Sequence, residues 1–328
     1  MKRRDFIAGL GGAAVWPAVS RGQPREHVRH IGIIVPAPAD SSEYQTWIGA
    51  FPQGLAQLGW TIGRNIRIDI RWATAKAAEI RRHATELVAL KPDVILAHGT
   101  STVTALLQVS RNIPIVFPNL SDPVGGGLVD SLARPGGNAT GFMNFEYSMG
   151  GKWLEVLKEI APSVTRVAVL RDPAVGSGTS QFAVIQAMAP SLQMEVTPIS
   201  LRDPGEIERD VAAFARSPNG GLILVAGGSA VLRRDLIVTL AARHKLPAVY
   251  YERHFAVGGG LISYGPDRTE QYRLSAGYVD RILKGEKPAD LPVQAPTRHV
   301  TVINLKTARA IGLDVPPSML ARADEVIE

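Results

Sequence analysis

The chain of 328 residues contains no cysteine. That excludes disulfides, a thiol nucleophile and cysteine-ligated zinc together. Basic residues are scattered in short groups such as Arg81-Arg82 and Arg233-Arg234. No long basic run with interleaved aromatics occurs, which argues against a nucleic-acid partner. No segment reaches the roughly 18 apolar residues needed to span a bilayer. There is no Gly-x-x-x-x-Gly-Lys-Ser/Thr phosphate loop, and Gly176-Ser177-Gly178 lacks the third glycine of a dinucleotide fingerprint. A His-Glu-x-x-His pair and a Gly-x-Ser-x-Gly elbow are missing too. The expectation is a binding protein, not an enzyme, with no cofactor and no metal.

Apolar residues make up 45% of the chain and charged residues 20%, enough to build two buried cores over this length. At the N-terminus Lys2, Arg3 and Arg4 precede Phe6-Ile7 and a Gly/Ala-rich apolar run ending at Ala18-Val19-Ser20. This is the layout of an export signal over residues 1–20, and Arg3-Arg4-x-Phe6 points to the twin-arginine route. The mature chain is then expected in the periplasm.

Strand and helix patterns alternate along the chain. Val28–Val35, Asn65–Trp72, Asp93–Ala97 and Ile113–Phe117 read as strands, the second by its period-two isoleucines. Helices are predicted over Glu43–Leu58, Ala77–Leu90 and Thr100–Ser110, and another is expected to begin at Pro123. The alternation restarts with a helix at Ser148–Ile160 and strands at Arg166–Leu170, Met194–Ile199, Gly221–Ala226 and Pro247–Tyr250. Asp203-Pro204-Gly205-Glu206 carries the cap, proline and returning carboxylate of a helix start, and Val231–His244 reads as one helix. A helix at Glu270–Leu283, a strand at Val300–Ile303 and a helix at Leu305–Ile311 close the chain. The order predicts an α/β protein of two doubly wound parallel-sheet lobes joined by crossover hinges. Lobe 1 is placed at residues 28–141 plus about 265–297, and lobe 2 at 142–264 plus about 298–328.

In open α/β sheets ligands bind beyond the carboxyl ends of strands, so the loops there carry the candidate residues. After the first strand these are Ser41, Ser42 and Tyr44. After the third, Gly99, Thr100 and Ser101 stand at a helix start, where hydroxyls and free amides suit a carboxylate. Ser121 and Asp122 follow the fourth; Asp122 either caps a helix or receives a ligand cation. In lobe 2, Asp172 and Ser177 occupy the matching loop, while Tyr250 and Tyr264 offer aromatic faces.

The stretch Ile113–Gly141, with Ser121-Asp122-Pro123 and Arg134-Pro135-Gly136-Gly137-Asn138, carries a family resemblance. So do Gly259-Gly260-Leu261-Ile262-Ser263-Tyr264-Gly265, Asn304-Leu305-Lys306-Thr307-Ala308 and Ala323-Asp324-Glu325-Val326-Ile327-Glu328. From about Arg29 to Glu328 the chain resembles substrate-binding proteins of bacterial ABC transporters, in the branch with tryptophan and aromatic amino-acid receptors. The resemblance implies a type I periplasmic-binding-protein fold that closes on a small carboxylate-bearing ligand, an amino acid or aromatic acid. It implies a permease and an ATPase as separate chains. A ligand sensor without transport partners, or a cleft-type exported enzyme, is the alternative.

Overall fold

The computed structural model describes residues 28–74, 76–144, 148–174 and 176–328. The expected export signal lies outside them. Strands β1 (Arg29–Val35), β2 (Ile66–Trp72), β3 (Val94–Ala97), β4 (Ile115–Leu120) and β5 (Ala139–Met143) form one parallel sheet in the order β2-β1-β3-β4-β5. Helices α1 (Ser42–Gln57), α2 (Ala77–Ala89) and α3 (Thr100–Val109) connect them.

The second sheet runs β12-β11-β10-β9-β8-β6-β7. Its strands are β6 (Arg166–Arg171), β7 (Glu195–Ser200), β8 (Gly220–Leu224), β9 (Ala248–Tyr250), β10 (Ile262–Pro266), β11 (His299–Asn304) and β12 (Glu325–Ile327). Only the β10 and β11 pair is antiparallel. The remaining α-helices among the described residues are α4 (Met149–Ile160), α5 (Gly176–Met188), α6 (Pro204–Phe214), α7 (Gly228–Leu232), α8 (Arg234–Arg243), α9 (Arg253–Val257), α10 (Arg268–Leu283), α11 (Leu305–Ile311) and α12 (Pro317–Arg322). The two parallel-sheet lobes bear out the expected fold class.

Burial explains the winding of lobe 1. Alternate residues of β1 serve opposite faces: Ile31, Ile33 and Val35 pack with Phe51 and Leu55 of α1 and Val279 of α10. Ile34 packs with Leu87 of α2 and Leu106 of α3 on the other face. Helix α10 follows a lobe 2 strand in sequence yet lies against α1 of lobe 1. Gly54 permits that approach, since a Cβ there would stand 2.9 Å from the Cβ of Ala276. The chain therefore passes between the sheets after Met143, after Pro266 and before His299. All three passages leave from or return to the same interlobe face.

Three sequence expectations change. No helix begins at Pro123; residues 122–137 form turns and bends. The run Val231–His244 is two helices, broken at Arg233, whose φ of −111° and ψ of 18° leave the helical basin. The short elements α9, α12 and β12 were not anticipated, because segments of three to six residues carry too little periodicity to stand out. The α6 start is as expected: Asp203 accepts a hydrogen bond from the Glu206 amide at 3.0 Å.

Candidate functional site

Beyond β3 the chain turns through Gly99 at φ 83°, a conformation that glycine adopts without steric cost, and enters α3. The Gly99 amide donates to the Asn119 carbonyl at 3.0 Å, binding this turn to the end of β4. No side chain caps α3. Thr102 turns its hydroxyl onto the His98 and Gly99 carbonyls, at 2.7 and 2.9 Å, leaving Thr100 and Ser101 exposed at the helix tip. First-turn amides and two free hydroxyls thus converge at the interlobe face, a ready environment for an anionic group.

Below this tip lies an aromatic floor. The His98 ring stacks on Trp47 at 5.8 Å and meets Tyr44 edge-on at 5.0 Å. Its Nδ1 lies 2.8 Å from the Tyr272 hydroxyl and its Nε2 lies 3.3 Å from the Asn119 amide nitrogen. A neutral ring satisfies both contacts, with Asn119 donating to Nε2 and the Nδ1–H donating to Tyr272. Burial, reinforced by the Arg268 charge, lowers the His98 pKa to about 3. His98 is a neutral structural group here.

The crossovers are tied by a buried polar network. Arg268, at the start of α10, donates from Nε to Glu252 Oε1 of lobe 2 at 2.6 Å. Its Nη1 donates to Asn144 Oδ1 at 2.6 Å and Gln271 Oε1 at 3.2 Å. Gln271 donates on to the Met143 carbonyl at 2.7 Å, and Asn144 donates to Ser121 Oγ at 2.9 Å. Arg268 and Glu252 are 5% and 8% exposed, so neither charge would be tolerated alone. Burial pushes the Glu252 carboxyl up, but the Arg268 charge, His254 and the Arg268 hydrogen bond together hold it below the ordinary carboxylate value.

The candidates from sequence divide accordingly. Gly99, Thr100 and Ser101 form the exposed tip of α3. Ser41 precedes α1 without capping it, and Ser42 lines the cavity described below. Tyr44 belongs to the aromatic floor, where burial and then the Glu252 charge raise its pKa. Ser121 is engaged by the crossover network. Asp122, at φ 47°, accepts from the Gly125 amide at 2.8 Å, so its carboxylate closes a turn of its own loop. Of the two readings of Asp122, the helix cap falls away because no helix begins there, and Oδ1 is taken by the turn.

In lobe 2, Asp172 accepts from Ser229 Oγ at 2.5 Å and from the Ala174 amide at 2.9 Å, and these two bonds lower its pKa. The Ser177 side chain lies outside the described set. Tyr250 corrects its expectation: it is 1% exposed, stacks on Phe255 at 5.3 Å and belongs to the lobe 2 core. A strand buried on both faces turns its aromatic inward whichever way it points. Tyr264 is half-buried and stacks on His299 at 5.5 Å.

A cavity of about 630 Å³ opens between the lobes on the side of α1 and α9. Ser42, Glu43, Thr46 and Trp47 line it from lobe 1, and Glu252, Arg253 and His254 from lobe 2; Arg268 closes the crossover end. The sequence reading named Ser42 but missed Glu43, Glu252, His254 and Arg268. A charge at a helix start reads as solvated, and nothing in the spacing says that these four meet.

The architecture and its crossovers match known proteins. The chain is 24% identical to a tyrosine-binding protein of Clostridioides difficile (strain R20291) over 263 residues, 80% of this chain and 75% of that protein. Its fold superimposes with a TM-score of 0.80 on a Streptococcus pneumonia ABC domain in complex with L-Trp, at 23% identity, covering 91% of this chain and 99% of that one. The TM-score is 0.76 to the ligand-free, open structure of a Clostridium difficile substrate-binding protein with adhesive properties, at 23% identity over 92% and 99%. Among the described residues no helix is long and apolar enough to cross a membrane. The model of the ABC transporter substrate binding protein family matches residues 30–327, and the chain belongs to that family.

Proposed function

We propose that this protein is the periplasmic receptor of an ABC importer, which captures a small carboxylate-bearing ligand between its lobes and delivers it to a separately encoded permease and ATPase. The observation that carries the ligand chemistry is the tip of α3, where amides stand uncapped beside the exposed Thr100 and Ser101 hydroxyls at the interlobe face. The relatives that bind tyrosine and tryptophan support an amino acid as the ligand. Ligand contacts from both lobes select the closed state, with the crossovers as hinges.

The twin-arginine signal delivers the chain to the periplasm. Arg3→Lys with Arg4→Lys is expected to hold the unprocessed precursor in the cytoplasm. Unchanged periplasmic yield on fractionation rejects that route.

Thr100→Ala with Ser101→Ala is expected to weaken ligand binding by about 1–3 kcal/mol in calorimetry, through loss of two hydrogen bonds. The unfolding midpoint should stay nearly fixed, because neither hydroxyl caps α3. Unchanged affinity places the ligand's anionic group elsewhere.

A further inference from the structure

Helix α9 of lobe 2 brings one histidine against a carboxylate of the opposite lobe. His254 Nδ1 lies 3.4 Å from Glu43 Oε1, in the first turn of α1, and 3.5 Å from Glu252 Oε2, in the residue before α9. Neither approach makes a hydrogen bond, and both ring nitrogens are closed off from solvent. The ring packs on Phe255 at 4.3 Å and meets Tyr251 edge-on at 6.5 Å. A neutral imidazole gains little from this position, because its N–H and its lone pair both go unused. An imidazolium gains the attraction of two carboxylates where water screens poorly. The contact between the lobes is therefore stronger with the proton than without it.

The other charged groups around the ring are committed elsewhere. At the start of α10, Arg268 is held by Glu252 Oε1, Asn144 and Gln271, and Asp267 accepts from the Glu270 amide and meets Arg298. On α8, Arg234 pairs with Asp235 at 2.9 Å. Arg253, beside His254 on α9, makes a paired contact with Glu325 of β12 at 2.6 and 2.7 Å. Burial and then the Glu252 charge raise the hydroxyl pKa of Tyr44 and of Tyr251, so both remain neutral. Among the described residues Glu43 has one ion-pair neighbour, His254.

We infer that His254 is a proton-operated latch between the lobes: as an imidazolium it ties α9 to α1 through Glu43, and on losing its proton it lets them part. Linkage fixes the sign. A contact that favours the bound proton strengthens as pH falls through the range in which histidine charges, and weakens as pH rises. The latch goes beyond ligand capture, since it acts on the empty protein. Where the cleft is the ligand site, acid raises the fraction of molecules already closed and so lowers the conformational cost of binding.

Spin-label distances on the ligand-free mature chain test the latch. Ala39→Cys and Ala174→Cys put labels on exposed residues of the loops after β1 and β6 without removing a charge. The ratio of short-distance to long-distance populations should be about threefold or more higher at pH 6 than at pH 8. His98, held by burial at about 3, stays neutral throughout, while His30 and His83 pair with Asp69 and Glu86 inside lobe 1. In the labelled background, His254→Gln and Glu43→Gln should each give one distribution at both pH values. The Glu43 side chain is 33% exposed, so Glu43→Gln reads the latch with the fold intact even where His254→Gln lowers stability. A distribution that is unchanged or longer at pH 6 in the chain with both residues present overturns the latch, and so does a pH response that persists in Glu43→Gln. Neither result touches the carboxylate site, which calorimetry of Thr100→Ala with Ser101→Ala reads separately.

Discussion

Replacing Arg268 with methionine is expected to lower the stability of this protein by about 3–5 kcal/mol, because it strands the buried Glu252 charge without its partner. The guanidinium also satisfies Asn144 and, through Gln271, steadies the backbone at Met143, so both the first and second crossovers lose a tie. Glu252→Gln added to Arg268→Met removes the stranded charge and should restore a large part of the loss. Urea unfolding of the wild type, the two single variants and the double variant measures the coupling. If the double variant is no more stable than Arg268→Met, the pair does not act through its charge.

His98 gives the second large effect, and it appears with pH. Its unfolded value is about 6.5 and its folded value about 3, so the native state binds fewer protons across that interval. The stability it contributes is complete above pH 6.5 and is lost progressively as pH falls toward 3. By pH 5 the loss reaches about 2 kcal/mol, taking 1.36 kcal/mol for each pH unit below the unfolded value. His98→Gln keeps polar contacts available to Tyr272 and Asn119 but has nothing to titrate. Its urea midpoint should fall less between pH 7 and pH 5 than that of the wild type, and equal slopes would place the acid sensitivity in other groups.

Much of the fold was legible because parallel strands buried on both faces leave short apolar runs such as Val94–Ala97, and because caps mark helix starts. Asn304 accepts from the Thr307 amide at 3.0 Å, and α11 starts directly after it. Where local chemistry admits two outcomes the reading went astray. Asp122 followed by Pro123 suits a helix start, yet the same carboxylate closes a turn equally well, and the glycines at 125–127 favour the turn.

The site was legible only in part, for a different reason. Gly99-Thr100-Ser101 announces itself because a glycine followed by hydroxyls at a strand end has a local meaning. Arg268 and Glu252 lie sixteen residues apart, and Arg268 and Asn144 lie 124 apart. Their meeting depends on α10 returning to lobe 1 after β10, a tertiary fact with no trace in periodicity. Glu43 and His254 are likewise joined only by the approach of the two lobes.

The central claim is that the lobes close on a ligand gripped at the tip of α3, and the missing cysteines make it directly measurable. Asp40→Cys and Ala174→Cys place thiols at exposed positions in the loops that follow β1 of lobe 1 and β6 of lobe 2, and spin labels attached there report the distance between lobes. The account predicts that a compound shown by calorimetry to bind, drawn from L-amino acids beginning with L-tyrosine and L-tryptophan, shortens this distance when present at ~100 times its dissociation constant. In the Thr100→Ala, Ser101→Ala background the same shortening should demand a higher concentration. A distance that stays fixed while calorimetry registers binding of that compound would contradict the account.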